Sequence, residues 1–317
     1  MIVSQNQCRY IAGGAAKDPG KCTRTVSGSV TEAECFRATH EEADDRIMLS
    51  VHQIYKRVGS QCVTIVTSDT DIITVLLYHL NNSWKGKSMY VLKKGKMTSD
   101  KQQKELYPLH KLITELEPEV INALPASHCL TGCDTVAKVG TKAAMLQALK
   151  DNHHLLVNFG KERLGDEVIL SAEKFLVSVV APKTLSHCST FDDLRVNMHR
   201  KNISKKKRFI DLPCTSSAIK ENIKRAYFQV RLWLEAPFWN AAERLDPNDY
   251  GLIINHEDSS ITPVLFEGPQ TPPDVPKPCT CKLCAKSTCR CRVLQIPCCD
   301  YCECKVDCCQ NPSNVMQ

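Results

Sequence analysis

The sequence predicts an α/β core with parallel strand pairing, followed by a helical extension and a small metal-binding tail. Three observations carry that expectation. A strand, helix, strand succession runs from Cys62 to Lys94, helical patterns dominate from Leu106 to Ala236, and eleven cysteines are packed between Cys279 and Cys309. At 317 residues the chain can bury a sizeable core. The expected division is an α/β domain over 1–160, a helical extension over 161–250, a proline-rich linker over 251–278 and a cysteine module over 279–311.

In order along the chain, "HEEADDRIMLSVHQIYKRV" reads as a helix whose acids crowd the first turn, where the macrodipole favours them. "CVTIVTS" reads as a short β-branched strand, apolar without strict alternation, as expected of a strand covered on both faces. "TDIITVLLYHL" opens the next helix and "SMYVLKK" is a second strand, spaced for parallel pairing. Helices are then expected in "LHKLITEL", "TKAAMLQALK", "DEVILSAEKFLVSVV" and "SSAIKENIKRAYFQVRLWLEA". The aromatic residues of the last fall at helical spacing and read as a core face. Between Thr262 and Pro278 six of seventeen residues are proline, which reads as a semi-rigid spacer.

Composition narrows the setting. There is no signal-peptide pattern, and no apolar run approaches the roughly 20 residues that cross a bilayer, so the sequence reads as soluble and intracellular, with no membrane partner. Without a secretory signal, nineteen cysteines point to metal rather than disulfides. The net charge of +6 is partitioned. Residues 195–231 hold eleven Lys/Arg against Asp211 and Glu221, whereas 31–50 hold six acids against Arg37 and Arg46. Such a pairing suits a polyanion binder, although charge alone favours two solvated helix faces. "RKNISKKKRF", with Lys205, Lys206, Lys207 and Arg208, reads as a nuclear localisation signal or phosphate-binding arm, or as a solvated loop; the nuclear reading gives the expected location.

Asp69 and Asp71 stand at the end of the first predicted strand, where an open parallel sheet places its site. Two readings stay open: Asp69 caps the following helix with Asp71 in its first turn, or both hold a hard divalent ion through oxygen ligands. Clustered acids need a reason, since two charges about 4 Å apart repel by roughly 1 kcal/mol in water and about 4 kcal/mol at an effective dielectric near 20. Upstream lies "EEAD" with Glu42 and Asp44. Downstream lies "HCLTGCDTVAKVGTKAAMLQALK", with Asp134 in a Gly-containing turn before a helix carrying Lys138 and Lys142.

This ordered series resembles the PIN-like and flap-endonuclease superfamily of metal-dependent nucleases. The wider pattern, with "LTGCDT" and a cysteine-rich tail, resembles a group of transposon-associated animal proteins. The resemblance implies a PIN-like parallel-sheet core in which Glu42, Asp44, Asp69, Asp71 and Asp134 hold Mg²⁺ or Mn²⁺ and are catalytic in phosphodiester cleavage. Lys138, Gly140 and Lys142 would then bind phosphate. The family's first strand ends in a further acidic ligand, and no segment before Glu41 reads as that strand, so the core is expected to be truncated at its N-terminus. "KVGTK" keeps only Gly140 of the usual Gly-rich turn. The alternative implied function is a non-catalytic DNA-tethering protein, a decayed or domesticated mobile-element remnant.

In the tail the spacing C-x-C-x2-C-x4-C-x-C-x6-C-C-x2-C-x-C-x3-C-C is too dense for separate zinc fingers. It resembles the tesmin-type CXC domain, in which nine thiolates hold three zinc ions and the module contacts DNA. The resemblance implies Cys279, Cys281, Cys284, Cys289, Cys291, Cys298, Cys302, Cys304 and one of Cys308 or Cys309 as ligands, with Cys309 favoured by the "CQNP" that follows. Lys282, Arg290 and Arg292 are among the cations that would meet nucleic acid. So few apolar residues accompany these cysteines that metal must supply the folding energy.

Overall fold

The computed structural model describes residues 2–5, 8–12, 22–26, 29–37, 42–98, 101–161, 163–203, 212–238, 245–255, 257–258, 260–265, 279–285, 287–293, 298, 302–304 and 309–311. These form a mixed α/β structure with small sheets and a cysteine-rich C-terminal cluster. The N-terminal segment, for which the sequence predicts no element, is an antiparallel meander: β1 (Ile2–Gln5), β2 (Cys8–Ala12), β3 (Cys22–Val26) and β4 (Ser29–Glu32). Its strands span four or five residues and mix polar with β-branched side chains, which leaves little periodic signal. Cys22, Ala33, Phe36 and Ile54 make a small apolar cluster against Val63.

Helix α1 (Ala43–Gln53) begins with acids in its first turn and leads to β5 (Cys62–Val66). Then follow α2 (Thr70–Asn82), β6 (Ser88–Thr98) and β7 (Lys101–Pro108). β5 and β6 pair in parallel from Cys62↔Ser88 to Val66↔Leu92, as the strand, helix, strand spacing predicts. β7 adds an antiparallel strand beside β6, giving the order β5-β6-β7. β5 is not covered on both faces. Ile65 is buried and Val63 half-buried, while Cys62, Thr64 and Val66 are exposed, with Val66 at 54%. Helices therefore cover one face of a half-exposed strand, and the apolar Val66 had concealed the alternation.

Next come α3 (Leu109–Glu115), α4 (Pro118–Leu130), α5 (Lys142–Asn152), α6 (Asp166–Val180), α7 (Phe191–Ile203) and α8 (Ser216–Glu235). α4 carries Pro118 in its first turn and Pro125 in its interior, and the second of these argues against a helix when read locally. It forms because nearly everything from Ile121 to Leu130 is buried, enclosed by α2, α5 and α8. α8 supplies Ile219, Ile223, Ala226, Tyr227, Val230 and Trp233, an apolar stripe at helical period. One apolar core runs from Met48 to Ala236, so the stretches expected as a domain and its extension share a single interior.

The first part of the expected linker is folded. β8 (Leu252–Ile254) and β9 (Ile261–Pro263) form a hairpin joined to α8, with Arg225 Nη1 donating to Gly251 O at 3.4 Å and Val264 O at 3.1 Å. Tyr250 stacks on Tyr227 with ring centroids 5.9 Å apart. Among the described residues no helix is long and apolar enough to cross a membrane.

Candidate functional site

The expected carboxylates come from three elements. Glu42 is the N-cap residue of α1, Asp44 and Asp45 lie in its first turn, Asp69 and Asp71 follow β5, and Asp134 lies in the exposed turn after α4. Asp69 caps α2, its Oδ1 accepting from Asp71 N at 2.9 Å, while its own N–H donates to Thr67 Oγ1 at 3.0 Å. The capping reading is therefore realised for Asp69. Asp71 has a long-range partner. His128 Nε2 lies 2.6 Å from Asp71 Oδ1, with both side chains largely shielded. For the carboxylate to accept, Nε2 carries the hydrogen.

Electrostatics link these acids. Burial, followed by the charges of Asp69, Asp71, Glu42 and Asp134, pushes the Asp44 carboxyl up to about 6. Asp45 is 4% exposed; burial, followed by Asp44 and Glu42, pushes it up to about 7, and its buried Oδ1 has no hydrogen-bond partner among the described residues. The other four expected carboxylates thus act on Asp44, and the orphaned buried oxygen belongs to Asp45, which feels Asp44 and Glu42. A cation among the five would relieve the repulsion on Asp44. Even so, among the described residues the groups of three or more ligand atoms within 4.8 Å of one another are all cysteine, so the carboxylates couple without closing to that spacing.

The turn between α4 and α5 is tightly built. Gly132 has φ +113°, and a Cβ there would lie 2.8 Å from Lys138 Cα, so only glycine fits. Cys133 and Val136 exchange backbone hydrogen bonds at 3.3 Å, and Thr135 Oγ1 donates to Gln229 Oε1 at 2.9 Å. Asn222 bonds both backbone groups of Ala137, which accounts for this buried amide on α8. Lys138 lies in this turn rather than on α5, and it is exposed. Gly140, at φ +74°, leaves space for α6, since a Cβ would come within 2.7 Å of Val179 Cγ1. Lys142 Nζ donates to His128 O at 2.7 Å and Gly132 O at 2.6 Å. It thereby satisfies carbonyls at the C-terminal end of α4 and complements the negative end of that helix.

The chain's own chemistry is most concentrated in the tail. Cys279, Cys284, Cys289, Cys291, Cys298 and Cys302 are buried together, with Cys281, Cys304 and Cys309 packed against them. Three tetrads place their sulfurs within 4.8 Å: Cys279, Cys281, Cys284 and Cys289; Cys279, Cys289, Cys291 and Cys298; Cys279, Cys284, Cys298 and Cys304. Sγ–Sγ separations of 3.5 Å for Cys279–Cys284 and 3.6 Å for Cys291–Cys302 are contacts between thiols, not bonds. Soft, mutually close sulfurs with few apolar neighbours suit a thiophilic ion such as zinc. Arg292 fastens the module, donating to Ala285 O at 3.4 Å and Gln310 O at 2.9 Å. Lys282 and Arg290 are exposed.

No protein-family model, curated protein or solved structure matches the chain. Side-chain chemistry is thus the basis for any functional reading. Lys205, Lys206, Lys207 and Arg208, expected as a basic arm, lie outside the described residues, as do Cys299 and Cys308. His128 and Asp45 carry no role in the sequence reading. The signals available were a histidine inside the otherwise apolar "INALPASHCL" and an acid on the apolar side of α1, and neither has a partner close in sequence.

Proposed function

We propose that the protein binds nucleic acid through a zinc-cluster tail and carries a carboxylate site for a hard divalent ion that serves phosphodiester cleavage. The observation that carries the carboxylate half is the rise of Asp44 to about 6, by burial first and then by the charges of Asp69, Asp71, Glu42 and Asp134, next in sequence to Asp45 with its orphaned Oδ1. Repulsion of this kind is a standing cost unless a cation offsets it. Under this reading Glu42, Asp44, Asp69, Asp71 and Asp134 hold Mg²⁺ or Mn²⁺ in a PIN-like arrangement. Such an ion supplies Lewis-acid chemistry at a phosphodiester. His128 orients Asp71 through its Nε2 hydrogen, and Lys142 fixes the end of α4 that carries His128. Nine tail thiolates, Cys309 among them, would bind three zinc ions in the manner of a CXC module, leaving Lys282 and Arg290 to meet DNA in the nucleus.

A second reading, DNA tethering without cleavage, is favoured by a specific observation: Gly140 and Lys142 are committed to packing and helix capping, and the carboxylates stand wider than 4.8 Å as a group. The deciding experiment measures Mn²⁺ binding by the full chain and its action on single-stranded, flapped and duplex DNA, beside Asp44→Asn and Asp71→Asn. Cleavage and Mn²⁺ affinity that both fall at least about tenfold in either variant, a loss of about 1.4 kcal/mol, would support the enzyme. Mn²⁺ and DNA binding without cleavage would leave the tethering protein. Mn²⁺ affinity unchanged by both substitutions would overturn the carboxylate site altogether.

A further inference from the structure

Beside the carboxylates lies a second chemical group that the proposed function does not use. Cys129, in the last turn of α4, and Cys133, past the turn at Gly132, bring their Sγ atoms to 3.6 Å. Their surroundings differ. Cys129 is fully buried, with its Sγ 3.5 Å from Ala226 O of α8; Cys133 is partly exposed and reaches Thr135 Oγ1 at 3.4 Å. One cysteine is partly exposed while the other, in contact with it, is fully buried. We propose that Cys129 and Cys133 form a peroxide-oxidisable dithiol that closes reversibly to an intramolecular disulfide.

The oxidant is hydrogen peroxide. The Cys133 sulfur attacks a peroxide oxygen, an S–O bond forms as O–O breaks, and the thiol proton leaves with the departing oxygen as water. The Cys129 sulfur then attacks the sulfenic sulfur of Cys133. An S–S bond forms as S–O breaks, and the Cys129 proton leaves with the hydroxide as a second water. The sulfurs lose two electrons and the peroxide gains two. A thiol of the glutathione class reverses the step by exchange through a mixed disulfide. Closure shortens the contact to about 2.05 Å, within reach of rotation about the Cys133 side chain and adjustment of its turn. Because that turn carries Asp134, closure also alters the carboxylate site; this consequence rests on the proposed function, whereas the disulfide does not.

The test can be read at a single peptide. Trypsin releases residues 112–138 as one fragment, with Cys129 and Cys133 its sole cysteines. The full chain, purified with zinc, is exposed to graded hydrogen peroxide, quenched with a maleimide and mapped by mass spectrometry. The expected result is fragment 112–138 lighter by two hydrogens and free of maleimide, at doses that leave the exposed Cys62 still alkylated, with two labels returning after glutathione treatment. In Cys129→Ser the expected product is a dimedone-trapped sulfenic acid on Cys133, with no loop-closed fragment. Two maleimides on wild-type 112–138 at doses that have already oxidised Cys62 would overturn the proposal. So would Cys133 carried straight to sulfinic acid, or joined to any cysteine but Cys129. The wild-type map suffices if the variant fails to fold.

Discussion

Asp45 is the side chain that the fold accommodates least well as an ion: it is 4% exposed, its Oδ1 is unpartnered among the described residues, and Asp44 is its neighbour in sequence. Its carboxyl is pushed up to about 7 from the ordinary 3.8, by burial first and then by Asp44 and Glu42. With the folded value above the unfolded one, the native chain keeps a proton that the unfolded chain has released between about pH 4 and 7, so this group makes stability fall as pH rises through that window. Asp45→Asn, in chelator, is therefore expected to stabilise the protein by about 1–3 kcal/mol at pH 8 and to be nearly neutral below pH 4, the slope limit being about 1.4 kcal/mol per pH unit. Urea unfolding at the two pH values measures it, and an equal loss at both would mean that the carboxylate itself is needed. Asp69 and Asp71 mark how far such detail is legible in the sequence. Capping is local, so "SDTD" holds Asp69's role; the partner of Asp71 is His128, 57 positions away, which no spacing announces.

Elements divide along the same line. The acid-led helix α1, the parallel pair β5 and β6, and the helices α5, α6 and α8 follow from periodicity and spacing. α4 does not, because Pro125 in its interior opposes a helix locally while burial on nearly all sides enforces it. The N-terminal meander and the β8/β9 hairpin escape notice for being short. The tail is the converse case, since its chemistry lies in local cysteine spacing, and the nine expected cysteines do gather in one cluster. Their roles within it are unequal: Cys279 belongs to all three tetrads, Cys281 to one. If the cluster holds about three zinc ions, as nine thiolates with bridging allow, Cys279→Ala should lose more metal per chain than Cys281→Ala. Chelation should abolish the ordered tail in both. Metal analysis of the reduced full chain checks the order, and equal losses would remove Cys279 from its central position.

At the scale of the molecule, a division near residue 160 cuts through the interior. α4 lies before it and α8 beyond it, and the two pack together, with Cys129 against Ala226 O. His79 of α2 makes a similar tie across 154 positions, its Nε2 donating to Trp233 O at 3.0 Å, while burial first, tempered by that carbonyl, lowers its pKa to about 4 and keeps the ring neutral. Removing residues 161–317 would uncover Ile121, Leu130, Leu149 and Phe159, all at most 3% exposed in the whole chain. Each large apolar side chain returned to water costs about 1.5–3 kcal/mol, and four approach the roughly 5–15 kcal/mol that a domain has in total. Fragment 1–160 alone is therefore expected to show no cooperative urea transition and to gain one when 161–317 is co-expressed with it. A cooperative transition in isolated 1–160 at the midpoint of the whole chain would mean that the core divides there after all, and that α6 and α8 cover an interior already stable without them.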